Sequence, residues 1–137
     1  MNIEENLPCA KKMVLIDDDP IYRAIMLRAA KNEGIVLHAY DSLLSISITS
    51  NMEDYDAVII DYDLGELTGV DIASYLSSVF GDIPMVLVSS SLREQKDGGK
   101  KWPKHIKKFA LKTEGYSPVL AMAKELASTL NYDQPMQ

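Results

Sequence analysis

Four apolar runs in this chain end on residues that can carry charge or donate a hydrogen bond. Met13 to Ile16 runs into Asp17 and Asp18, and Ala57 to Ile60 into Asp61. Met85 to Val88 runs into Ser89, and Phe109 to Leu111 into Lys112. Three carboxylates brought together at about 5 Å, with an effective dielectric of about 20, repel at roughly 3 kcal/mol per pair. Such a cluster needs a cation or a proton. An oxygen-only set with room for water suits Mg2+, or Mn2+ in its place. Lys112 and the Ser89 hydroxyl supply what an added phosphoryl group would require, a positive charge and a donor. Catalysis of phosphoryl transfer is mainly positioning and charge neutralisation. A carboxylate nucleophile would carry the group as an acyl phosphate.

This chemistry requires elements that bring the run ends together. Asp19 can cap a helix with Pro20 in its first turn. Ile21, Ala24, Ile25 and Ala29 follow at helical spacing until Gly34. Ile35 to Tyr40 reads as a second strand, and Asp41 to about Ser50 as a weak, Ser-rich helix. Gly69 to Phe80 is a helix with Ile72, Ala73, Leu76, Val79 and Phe80 inward. Val119, Met122, Ala123, Leu126, Ala127 and Leu130 mark the last helix. Strands apolar on both faces and separated by helices imply a parallel sheet covered on both sides. Right-handed crossovers favour a doubly wound α/β fold with five parallel strands in the flavodoxin-like order 2-1-3-4-5. Its functional crevice lies at the carboxyl ends, where strands one and three are neighbours.

Composition narrows the function. The 137 residues suffice for one domain. No apolar run approaches the roughly 18 residues that would suggest a membrane span, and residues 1–10 lack the apolar segment of a signal peptide. Cys9 has no partner for an intrachain disulfide; with these features a cytoplasmic location is expected. The net charge is −6, with 15 acids against 5 basic residues in 1–92, but 8 basic residues against 2 acids in 93–112. An acidic domain repels nucleic-acid phosphates, so direct nucleic-acid binding is not expected. The basic stretch 92–112 could dock an acidic partner; its plainer reading is a solvated surface. His38 and His105 lack metal-ligand spacing and read as structural or surface residues, and Trp102 as a packing residue.

Four fragments together are specific: Val14-Leu-Ile-Asp-Asp-Asp-Pro20, Val58-Ile-Ile-Asp-Tyr-Asp-Leu-Gly65 with Gly69, Ile83-Pro-Met-Val-Leu-Val-Ser89, and Phe109-Ala-Leu-Lys112. In their order and spacing the chain resembles the CheY-like receiver domains of two-component response regulators. The resemblance covers residues 12–131, leaving a polar leader at 1–11 and a tail at 132–137. It implies that Asp61 is the phosphoacceptor, receiving its phosphoryl group from a histidine kinase or a histidine phosphotransfer protein. It implies that Asp18, Asp61 and the Asp63 carbonyl ligate Mg2+, with Asp17 acting through a metal-bound water. Ser89 and Lys112 would hold the phosphoryl group, and Phe109 would be the switch aromatic. Output would be by protein contact, as a monomer or a phosphorylation-linked dimer.

The chain departs from the family pattern at four places. Gly65 stands where Pro is usual, so greater mobility is expected after Asp61. Thr113 replaces the Pro that usually follows the Lys, and Ser90 adds a hydroxyl at the rim. Residues 92–108 lack the usual fourth-helix pattern, since Gly98-Gly99 and Trp102-Pro103 interrupt it; a short or irregular element is expected there, with its lysines outward. These departures keep open a receiver-like module that binds partners without being phosphorylated. Asp61-Tyr62-Asp63 also resembles the first motif of haloacid-dehalogenase-type phosphatases. That family's final adjacent acids are missing after Lys112, and the chain has no room for a cap domain.

Overall fold

The computed structural model describes residues 11–42, 44–46, 55–64, 67–90 and 104–133. Five strands form the main sheet: β1 (Lys12–Ile16), β2 (Val36–Tyr40), β3 (Ala57–Asp61), β6 (Met85–Ser89) and β7 (Ile106–Leu111). A short antiparallel pair, β4 (Asp63–Leu64) and β5 (Leu67–Thr68), stands apart from it. The helices are α1 (Pro20–Asn32), α2 (Gly69–Phe80) and α3 (Tyr116–Asp133). The main sheet is parallel throughout, in the order β2-β1-β3-β6-β7. That is the expected topology with β4 and β5 added to the numbering.

Strand alternation divides the core into two layers. Met13, Leu15, Ile59, Val86 and Val88 pack with Tyr22, Met26 and Ala30 of α1 and with Val119, Leu120, Ala123 and Ala127 of α3. Val14, Ile16, Val58, Ile60, Met85 and Leu87 pack with Ile72, Ala73 and Leu76 of α2 and with Ile46. The helices therefore cover both faces, as the runs without polar alternation require.

Local chemistry sets the helix starts. The Asp19 carboxylate accepts from the Ile21 amide at 3.0 Å, with Pro20 opening α1. Thr68 and Asp71 form a reciprocal capping box on α2. Gly34, at φ +71, carries the chain out of α1 in a conformation that suits glycine.

Two details differ from expectation, one in α1 and one in the last strand. The buried stripe of α1 is Tyr22, Met26 and Ala30, whereas Ile21 is 68% exposed and Ala24 is also exposed. Both series have the four-residue spacing of a helix face, so periodicity alone does not choose the phase. Of the weak helix expected from Asp41 to about Ser50, residues 44–46 are helical, and 43 and 47–50 lie outside the described residues. The last strand begins at Ile106, not Phe109. A bulge between Met85 and Val86 lets both Lys107 and Lys108 face outward within β7. These two lysines belong to the sheet edge, not to an irregular segment. The expectations for Cys9, Gly65, Gly98-Gly99, Trp102-Pro103 and the tail beyond Asp133 fall outside the described residues.

Candidate functional site

Parallel register brings the acids together. Ile16 of β1 lies opposite Ile60 of β3, so Asp17 and Asp61 follow at the same height on neighbouring strands. One carboxylate oxygen from each of Asp17, Asp18 and Asp61 lies within 4.8 Å of the others. Asp17 and Asp61 are buried, whereas Asp18 is exposed.

Backbone contacts fix this corner. The Asp17 amide donates to the Tyr40 carbonyl at 3.0 Å, and its Oδ1 accepts from the Asp19 amide at 2.9 Å. Nη1 of Arg23 donates to the Asp17 carbonyl at 2.8 Å. Oδ1 of Asp61 accepts from the Asp63 amide at 3.4 Å. The Tyr62 amide donates to the Val88 carbonyl at 2.8 Å, and the Gly69 amide to the Tyr62 carbonyl at 2.6 Å. A Cβ on Gly69 would lie 2.4 Å from the Asp61 carbonyl oxygen and 2.7 Å from a Leu87 methyl. The residue thus lets α2 start directly against the acidic corner.

Lys112, the residue directly after β7, closes the site. Its Nζ is 2.9 Å from Asp17 Oδ2 and 3.4 Å from Asp61 Oδ2. The two carboxylates outweigh the opposing effect of burial and hold the ammonium above its ordinary pKa. Burial pushes the Asp17 carboxyl up, against the pull of Lys112. Burial, reinforced by the Asp17 charge, pushes Asp61 up to about 7.

The donor set fits a hard divalent cation. It is made of carboxylate oxygens, and Asp17 Oδ2 is held within a buried side chain, 2.9 Å from the Lys112 ammonium. Asp63 is exposed and reaches Asp61 through its backbone. Ser89 is fully buried at the end of β6, in register with Leu111 beside Lys112. Phe109 is half-buried against the α2-side core. Ser90 and Thr113 are exposed, and the Lys112–Thr113 peptide bond is trans. Gly65 lies outside the described residues.

Two contributors escaped the sequence reading. Arg23 braces the Asp17 backbone, and Tyr22 places its ring 4.6 Å from Lys112 Nζ. The spacing of Tyr22, Met26 and Ala30 was the available signal for the second. His105 does not join the site; its Nε2 lies 2.6 Å from Asp82 Oδ1 at the opposite end of the sheet. His38 contacts the Tyr55 hydroxyl. No helix among the described residues is long and apolar enough to cross a membrane.

The family model described as "Response regulator receiver domain" matches residues 13–124. Among solved structures, the response regulator TrrA of Thermotoga maritima, in complex with Mg2+ and BeF, aligns at TM-score 0.70 and 18% identity, over 85% of this chain and 98% of its own. The signal receiver domain of an HD-domain protein from Pseudomonas fluorescens Pf-5 aligns at TM-score 0.75 and 11% identity, over 96% of each chain. A response regulator from Burkholderia pseudomallei, solved with a phosphorylated aspartic acid, calcium and citrate, aligns at TM-score 0.64 and 16% identity, over 92% of this chain and 74% of its own. At these identities the likeness is one of fold. No curated protein matches the chain in sequence.

Proposed function

The chain belongs to the response regulator receiver family, and from that premise we propose that it is a phosphorylation switch with Asp61 as its acceptor. The observation that carries this reading is the Lys112 ammonium set between Asp17 and Asp61 at the carboxyl ends of three strands. The donor is the phosphohistidine of a kinase or phosphotransfer protein. A carboxylate oxygen of Asp61 attacks phosphorus, the P–N bond breaks, and the imidazole leaves with its electron pair and takes up a proton. Asp61 becomes an acyl phosphate.

Asp18, Asp61 and the Asp63 carbonyl would hold Mg2+, with Asp17 acting through water. The bound ion would neutralise charge on the carboxylates and the phosphoryl oxygens. Lys112 already lies beside Asp61 and needs only a small shift to meet the new group. Ser89 supplies a hydroxyl from β6, and Phe109 carries the resulting movement to the β7 face. The switching unit is taken as residues 12–131.

Output is assigned to protein contact. In the described part of the basic stretch, Lys104, Lys107 and Lys108 are exposed and suit an acidic partner. Lys112 is not part of that surface, since its charge is turned toward the carboxylates.

Intact mass after incubation with acetyl phosphate tests the assignment. A gain of one phosphoryl group is expected with Mg2+, and none with chelator or in Asp61→Asn. A gain that survives Asp61→Asn overturns the acceptor. Absence of modification in the wild type, together with partner binding, favours the non-phosphorylated module. Multiple turnover of a phosphate ester would instead identify a phosphatase.

A further inference from the structure

Lys112 has a third neighbour that neither carboxylate chemistry nor the phosphoryl reading explains. Its Nζ lies 4.6 Å from the ring centroid of Tyr22. That ring is buried within α1, and its centroid is 5.4 Å from that of Tyr116 at the start of α3, with the planes tilted by 42°. Among the described residues, the Tyr22 hydroxyl has no hydrogen-bond partner. Burial, followed by the charges of Asp17 and Asp61, pushes its pKa up, so the phenol stays neutral. A buried hydroxyl without a partner costs stability and does not add to it. What Tyr22 offers the site is an aromatic face in contact with a partly desolvated ammonium.

We propose that Tyr22 is a positioning residue for Lys112, holding the ammonium on its ring face while the ammonium passes from the carboxylates to a phosphoryl group on Asp61. The inference rests on the phosphoryl-acceptor reading above. Without the ring, the strongest attraction on Lys112 is the 2.9 Å contact with Asp17. Lys112 already lies nearer Asp17 than Asp61, and without the ring nothing would offset that contact when the ammonium has to shift toward a phosphoryl oxygen. The ring does not compete in this way, because its attraction is spread over a face and leaves the N–H donors available. The Tyr116 contact ties that face to the turn following Lys112, formed by residues Lys112–Glu114 and by Gly115 at φ +107.

The test uses the whole chain with Tyr22→Phe, with a trifluorinated phenylalanine at the same position, and with Tyr22→Leu. Fluorination preserves shape while weakening the negative face of the ring. Two readouts are taken: the shift of the Lys112 ε-protons, and the Mg2+-dependent affinity for beryllofluoride. Tyr22→Phe is expected to keep the upfield ring shift and wild-type affinity. Fluorination should weaken beryllofluoride binding on the order of tenfold. Tyr22→Leu should lose the ring shift, with Mg2+ binding retained.

Equal affinity for the Phe and fluorinated forms overturns the proposal even if Tyr22→Leu fails to fold. So does a Lys112 ε-proton shift that Tyr22→Leu leaves unchanged. Failure of the wild type to bind beryllofluoride would instead strike the phosphoryl-acceptor reading. The ε-proton comparison still reports on the Tyr22–Lys112 contact in that case.

Discussion

Two acid–base pairs sit at opposite ends of the same sheet and have similar separations. At the carboxyl end, Lys112 lies 2.9 Å from Asp17, with side chains 21% and 0% exposed. At the amino end, His105 lies 2.6 Å from Asp82, with side chains 16% and 84% exposed. Their electrostatic consequences differ in sign. Burial raises the Asp17 carboxyl despite its lysine, whereas the hydrogen bond from His105 lowers Asp82. Desolvation, not distance, separates the two ends. A cavity of about 260 Å³ lies beside the exposed pair, lined by Asp82, Pro84, Lys104, His105 and Lys107. Its size does not make it the chemical site. The charges that converge on one another lie at the other end, where Lys112 meets Asp17 and Asp61.

The largest effect should come from proton loss at Asp61. Its folded pKa, about 7, lies above the ordinary 3.8. Between those values the native state retains a proton that the unfolded chain has lost. Stability should therefore fall as pH rises through that window, by at most about 4 kcal/mol for this group. Asp61→Asn should remove most of that slope and stabilise the domain at pH 8 without divalent ions. Millimolar Mg2+ should stabilise the wild type and have little effect on Asp61→Asn. Denaturant unfolding across pH, with and without Mg2+, checks all three. A flat wild-type profile would mean that burial does not dominate this end.

Removing the cation should have the next largest effect. Lys112→Met keeps most of the side-chain volume but leaves Asp17 and Asp61 without it. Breaking a buried pair costs several kcal/mol; the partial exposure of Lys112 reduces the expected loss to about 2 kcal/mol at neutral pH. The loss should shrink in acid, where the two carboxyls take up protons. Urea unfolding at two pH values measures it. A loss that grows on acidification would contradict the buried-charge account.

Much of the carboxyl end was legible because strand ends are legible. Asp17, Asp61, Ser89 and Lys112 each follow an uninterrupted apolar run, and parallel strands place such ends together. The phase of α1 was not, since Ile21 and Ile25 compete with Tyr22 and Met26 at equal spacing. Hydrophobicity favours isoleucine there, but the neighbouring structure buries the tyrosine under Lys112. The start of β7 was also missed, because adjacent Lys107 and Lys108 break strand alternation and only the bulge restores it. Gly69 was visible as part of a motif. The reason for it, a backbone approach too close for a Cβ, exists only in three dimensions.

The smallest expected effect belongs to the amino end, and it decides whether the comparison is sound. Asp82→Asn removes a carboxylate whose pKa is lowered by the hydrogen bond and charge of His105, with Lys104 and Lys107 adding minor contributions. The sign follows from linkage: a lowered carboxyl stabilises the fold above its ordinary pKa, and that stabilisation is lost as pH falls through the folded value. Asp82 is exposed, however, so water and salt screen the attraction. Asparagine can also still accept a hydrogen bond from the imidazole. The melting temperature of Asp82→Asn should therefore match the wild type at neutral pH and physiological salt. A slight difference should emerge only at low ionic strength. A clear destabilisation that persists in high salt would show that the pair at the amino end is structural, and that exposure alone does not divide the two ends of this sheet.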